Sequence, residues 1–402
     1  MASDLVEKIQ SVDSPFMEWP KFSFDHVPTV REMRETAVLA MHRTLSVQWF
    51  TEVPFALKTS ISNRAFNPYV KYAGIPYTGP NTSIYGFLRF LDEKTGRLRI
   101  EDLEKIAAER GFEDAPAALN KTAGSSCSGS VGWAIASVCS SVVGKFQCYY
   151  MVPKNGWLKL GPYEYDESVD EYGRESPVST DEILAANGRQ VMYGSYALME
   201  PADIVVWQDR KKLGHTMMAI GPAFIRRNGD GEIDGDRSYV VIQDQRPGGF
   251  QGVDGRTGAM YRFQGRTNEK YTFARLYDEG YIPATTAEFQ GLKPYEFPWV
   301  KVTGEGPETP ENLENLRLTG NYPLALAELF VKTPDGAEKR AESYAFTRND
   351  IAQGIARSYP LADFAARLKK PGVLSPGMNE VRIRVTFPNG EQESPLAFKI
   401  TV

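Results

Sequence analysis

Three residue types suited to nucleophilic acyl chemistry occur along the chain in a usable order: a cysteine, a histidine, then a carboxylate or amide. Cys127 lies in SSCSGSVGWAIASVCSSV, residues 125–142. Val131, Ala134, Ile135, Val138 and Val142 recur at spacings of three and four, which predicts an amphipathic or buried helix. Ser125 or Ser126 stands where a hydroxyl caps such a helix. Cys127 then falls in the first turn. There the unpaired N–H groups and the positive dipole end favour a thiolate and can form part of an oxyanion hole. The alternative is a thiol that packs as a small hydrophobe.

Of the three histidines, His26 lies in an irregular segment and His42 within a helical stripe. His215 begins a strand, GHTMMAIG (214–221), and shares one face with Met217 and Ala219. The turn-rich RRNGDGEIDGDR separates it from YVVIQD (239–244). A regular hairpin centred on NGDG (228–231) sets Asp244 opposite His215, with Gln243 one register away. Period-two alternation lets only one of the two share the face of His215. Either would orient the imidazole. A carboxylate also stabilises the imidazolium, which favours Asp244. The other reading is an acidic residue closing a strand.

The elements that must position these residues are set by a chain of 402 residues, long enough for two or three domains. A net charge of −5 without a basic run argues against a nucleic-acid partner. No stretch is apolar for long enough to span a membrane. The N-terminus MASDLVEKIQ lacks the apolar core of a signal peptide, which does not exclude export. Aromatic residues at 12%, including 20 tyrosines, suit a groove for carbohydrate or peptide. Cys127 and Cys139 lie too far apart to bridge along one helix at about 1.5 Å per residue. Cys139 and Cys148 are expected as buried thiols. NGDGEID resembles a calcium loop, but setting Gly231 at loop position six puts Arg226 first and Arg237 last, where carboxylates are needed. No G-x-S-x-G elbow, H-E-x-x-H pair or phosphate loop is present, so no metal or cofactor is implied.

A helix is expected from Thr29, where Thr29 and Glu32 have capping-box spacing and Met33, Ala37, Met41 and Leu45 form a stripe. Residues 63–86 read as loop, and a helix over 101–110 ends at Gly111. FQCYYMV (146–152), ADIVVWQ (202–208), GHTMMAIG, YVVIQD and YTFARLY (271–277) read as strands. Helices followed by an antiparallel meander predict an α+β domain over residues 1–290, with helices packed on the sheet. Past a Pro/Glu/Gly-rich junction, alternating strands around DG and NG turns predict a small all-β, immunoglobulin-like sandwich over 296–402, without the cysteine pair of antibody domains.

SCSGSVG resembles the D-C-S-G-[FL]-V nucleophile motif of the NlpC-type cell-wall cysteine peptidases. PADIVVW (201–207) is similar to their P-G-D-L-V-F-W strand, GHTMMAIG to their H-V-G-I-Y-x-G strand, and AGIPYTG (73–79) to the G-x-x-Y segment before their cysteine. The resemblance covers about residues 70–285, with large insertions. It implies a papain-like fold, hydrolysis of peptide bonds in peptidoglycan stems, no cofactor, and a secreted or envelope location. It assigns Cys127 as nucleophile, His215 as base and Asp244 or Gln243 as the orienting group. Tyr77, Ser126, Ser128 and Gln243 would line the substrate site, and Asp203 matches a structural strand aspartate. Ser126 departs from the family's aspartate, which helps hold the substrate's free amine, and Asp244 or Gln243 stands where many members have histidine. The class of chemistry therefore carries over further than the substrate. Peptidoglycan or a muropeptide is the expected partner, with the C-terminal domain contacting the wall. Rival readings are acyl transfer or deamidation by the same triad, and a non-catalytic wall-binding or adhesion protein.

Overall fold

The first helix starts where its capping box places it. In a computed structural model, which describes residues 19–402 apart from 59–62, 142–145, 154–155, 166–178, 212, 254–259 and 306–309, helix Val30–Ser46 begins with Thr29 and Glu32 each accepting the other's backbone N–H. Met33, Ala37, Met41 and Leu45 are buried, as their spacing requires. Helix Ile100–Arg110 ends at Gly111 in the left-handed conformation, φ 70°. The Cys127 helix spans Cys127–Ala136 and is buried along its whole length. It is thus a core helix, shorter than the apolar stripe implied; Val142 lies outside the described residues. A Cβ at Gly132 would run into the Phe146 ring, so this glycine is what lets the following segment lie against the helix.

Helices Val30–Ser46 and Cys127–Ala136 pack on an eight-stranded sheet. Its order is Gln48–Trp49, Tyr72–Ala73, Met260–Thr272, Tyr239–Val253, Gly214–Ala219, Ile204–Gln208, Ile282–Thr286, Trp157–Lys159. All neighbours are antiparallel except Tyr72–Ala73 beside Met260–Thr272. The expected meander is present, with two corrections. Residues 146–152 are not a strand: Cys148–Met151 makes one helical turn, and a seven-residue apolar run does not by itself distinguish the two. Residues 271–277 are not a strand either. The strand ends at Thr272, whose hydroxyl accepts the Arg275 N–H and caps helix Phe273–Asp278.

The C-terminal region forms two antiparallel sheets. One has three strands, Val300–Gly304, Leu316–Gly320 and Ser358–Pro360; the other has four, in the order Glu338–Ala345, Leu326–Lys332, Met378–Thr386, Gln392–Thr401. It is not all-β. Helices Arg348–Ala352 and Ala362–Leu368 interrupt the strands, the first started by a Thr347–Asp350 capping box. The hydrophobic core runs without a break through residues on both sides of the junction. Backbone bonds cross as well: Arg348 N–H to the Pro80 carbonyl at 2.9 Å and Phe22 N–H to the Asn389 carbonyl at 2.7 Å. No described helix is long and apolar enough to cross a membrane.

Candidate active site

The helix that carries Cys127 is not started by a serine hydroxyl. Ser126 occupies the N-cap with an extended backbone, but neither it nor Ser125 makes a side-chain cap bond. Asn81 fixes the turn instead. Its Oδ1 accepts the Ser126 N–H at 2.6 Å, its Nδ2 donates to the Phe146 carbonyl at 3.2 Å, and its own carbonyl accepts Trp133 Nε1–H at 2.8 Å. Its φ of 54° lies in the left-handed region, which asparagine tolerates better than most residues. The first intrahelical bond is Ser130 N–H to the Ser126 carbonyl, 2.9 Å. The N–H groups of Cys127, Ser128 and Gly129 precede it and have no partner within the helix.

His215 is brought in by strand Gly214–Ala219, where it pairs with Trp207. On the other side, Met218 pairs with Gln243 and Ala219 with Ile242. That register differs by two residues from a hairpin centred on NGDG; continued, it sets His215 against Arg246. Asp244 still meets the histidine, because a two-residue offset keeps the face and diagonal cross-strand neighbours remain within side-chain reach. The His215 Nε2 to Asp244 Oδ2 distance is 2.5 Å.

The electrostatics follow from burial and neighbours. Cys127 is only 4% exposed. Its thiol is held well below the usual range by a hydrogen bond from Cys148, by the charge and hydrogen bond of His215 and by the Thr216 N–H, which outweigh desolvation. Burial works against the charged form of His215, yet the Cys127 thiolate and Asp244 raise it to about 9. Asp244 is fully buried. It also accepts Arg246 Nε–H at 2.5 Å and Arg266 Nε–H at 3.1 Å, and both guanidiniums donate to the Tyr271 hydroxyl. No family model matches the chain, and no curated protein or solved structure does. What the site offers is a thiol of lowered pKa at a helix start beside an imidazole of raised pKa, with one imidazole nitrogen held by a buried carboxylate.

The structure brings Cys127, His215, Asp244 and Tyr77 together. The Tyr77 hydroxyl donates to Cys127 Sγ at 3.8 Å. Burial and the neighbouring Cys127 charge push the phenol well up, so it stays protonated. Ser126 lies at the helix start through its backbone. Two expected substrate contacts are corrected. Ser128 is buried and donates to the Phe146 carbonyl at 3.1 Å, bracing the segment that carries Cys148. Gln243 is fully buried on the other face of its strand, where its Nε2 donates to the Val38 carbonyl at 2.9 Å. Asp203 pairs with Arg34 at 2.9 Å and accepts the Thr285 hydroxyl at 2.6 Å, tying the first helix to the sheet. Four groups escaped sequence reasoning: Asn81, Cys148, Arg246 and Arg266. Only Asn81 carried a local signal, an asparagine inside the turn-rich GPNTS. The others reach the site through tertiary packing.

Proposed function

We propose that the protein is a cysteine peptidase of papain-like type that hydrolyses amide bonds in peptidoglycan stem peptides. The observation that carries the proposal is the Cys127–His215–Asp244 chain at the first turn of a buried helix. The motif resemblance to the NlpC-type peptidases supplies the substrate class. His215 holds the proton of Cys127, and the thiolate attacks the amide carbonyl. The oxyanion forms beside the N–H groups of the first helical turn, which have no partner within the helix and favour negative charge. His215 then protonates the leaving amine, and water hydrolyses the thioester, returning a proton to His215. Asp244 holds the imidazole by its Nε2 throughout, which leaves Nδ1 to face the sulfur. The reading places the protein in the cell envelope, with the C-terminal region, immunoglobulin-like in type, against the wall.

The test is digestion of purified peptidoglycan of known stem chemistry, with mass analysis of the fragments and Cys127→Ala as control. Fragments that differ from the starting material by one water, absent in the control, support the reading. An intact substrate with the folded protein refutes it. Products carrying an added amine in place of water would assign acyl transfer.

A further inference from the structure

A polar cavity lies away from Cys127, between the loop after Leu88 and the four-stranded sheet. It has a volume of about 460 Å³, in the range of small-molecule sites. Its charge is laid down by strand alternation. In AELFVK, EKRAESY and EVRIRVTF, residues Leu329, Val331, Val381, Ile383 and Val385 point into the core. Glu328, Phe330, Arg340, Arg382 and Arg384 therefore share the other face, where Glu328 sits opposite Arg384 and Phe330 opposite Arg340. That face meets Arg89 and Arg99 from the first region, with Trp19 at the side.

The cations outnumber their partners. Glu328, nearly fully buried, serves two of them: Arg384 Nη2 at 2.6 Å and Arg340 Nη1 at 3.2 Å. Asp102 serves Arg99 at 3.1 Å. Arg89 is buried and donates only to neutral groups, the Gly86 and Thr122 carbonyls and the Ser343 hydroxyl. Among the described residues no carboxylate pairs with it. Arg99 and Arg340 both also donate to the single Arg89 carbonyl, so like charges converge on a neutral acceptor. Glu93, the remaining carboxylate of the lining, is exposed. Gathering guanidiniums around a cavity with this imbalance costs free energy unless an anion offsets it. Guanidiniums arriving from a loop and two strands suit a tetrahedral oxyanion better than a flat carboxylate, which one arginine can hold alone. Phe330, which carries the Arg384 guanidinium 4.4 Å from its ring centre, lines the same space with Leu88, Leu91 and Trp19 and offers an apolar wall.

We propose that this arginine cleft binds a phosphate ester, its phosphate held by Arg99, Arg340 and Arg384 and its organic part against Trp19 and Phe330. The site stands independently of Cys127 and of the peptidase reading.

The test is calorimetric titration of the full chain with glycerol 3-phosphate, inorganic phosphate and citrate, each at fixed ionic strength. The expected result is one saturable site per chain for the ester, with inorganic phosphate weaker and citrate weaker still. Arg340→Gln and, separately, Arg99→Gln should each weaken the ester at least tenfold, with the circular dichroism spectrum retained. Arg99→Gln is the variant to rely on if Arg340→Gln fails to fold, because Arg99 leaves the Glu328 pairs intact. The proposal is overturned by no saturable ester binding, by binding that neither variant weakens, by equal binding of bare phosphate, or by preference for citrate.

Discussion

Asp244→Asn isolates what the buried carboxylate contributes, because the amide keeps the size of the side chain and an oxygen that can still accept His215 Nε2–H. The charge is lost, together with the second acceptor oxygen, which Arg266 Nε–H uses. Opposite unit charges about 4 Å apart attract by about 4 kcal/mol at an effective dielectric of about 20. Two features reduce that figure here. The His215 side chain keeps 16% of its exposure, and Arg246 and Arg266 already share the carboxylate. Discounting by roughly two-thirds for solvent and sharing leaves about 1.4 kcal/mol, a tenfold change in an equilibrium constant. The same two guanidiniums then face the imidazolium with no carboxylate between them, which adds in the same direction. His215 should titrate well below its present value of about 9. A fall of about one unit leaves the imidazole charged at about pH 6, so alkylation of Cys127 by iodoacetamide there should hold near the native rate, and the loss should appear as the lowered His215 midpoint. Removing one like charge in Asp244→Asn/Arg266→Gln should recover part of that loss. The assay is the rate of alkylation against pH, read by peptide mass analysis, beside the imidazole proton resonances. A single variant that alkylates at the native rate across the range, with the His215 midpoint unmoved, refutes the assignment.

In the native protein, Cys127 should react with iodoacetamide at mildly acidic pH ahead of Cys139, whose thiol burial pushes up, and ahead of Cys148, pushed up by its bond to Cys127 and by burial; equal labelling of all three would contradict this. On the peptidase reading, turnover of a peptidoglycan fragment should fall as pH rises through about 9, because the imidazolium then loses the proton it gives to the leaving amine, while alkylation of the thiolate persists. Gln243→Ala should lower stability by about 1–3 kcal/mol through the orphaned Val38 carbonyl and leave alkylation unchanged, measured by denaturant unfolding and by labelling. Gly132→Ala should cost about 1–3 kcal/mol by overpacking against Phe146; an unchanged melting temperature would show that the segment yields freely. Asn81→Ala frees the Ser126 N–H and puts alanine at a positive φ, so Cys127 labelling should slow together with a loss of about 2 kcal/mol or more.

Much of the site was legible because its parts are local. A cysteine before a helical stripe, a histidine leading an alternating strand and a turn-rich connection each leave a signature within ten residues or so. The choice of Asp244 over Gln243 follows from parity, and parity survived an error in the register itself. What the sequence hid was non-local. Nothing near Cys148 shows that its thiol meets Cys127, since FQCYYMV carries no period that separates a helical turn from a strand. Arg246 and Arg266 come together only across the ladder between Tyr239–Val253 and Met260–Thr272. The serine caps at 125 and 126 were the reasonable local inference. Asn81, more than forty residues upstream, displaced them. The helices of the C-terminal region were missed for a different reason: each is under eight residues, too short for a stripe, although T-R-N-D at 347–350 spells a capping box.

The bond from Arg348 to the Pro80 carbonyl touches the residue just before Asn81, and Asn81 seats the helix that presents Cys127. The junction near residue 300 therefore does not mark a seam along which the protein can be cut and recombined. An unrelated C-terminal module grafted there would have to restore a donor at Pro80 and cover the shared core, or Cys127 would be misplaced although the residues around it were all intact. Exchange of parts between such chains should leave a trace in paired changes around 80 and 348, and variants altered in the C-terminal region would need their cysteine reactivity checked as well.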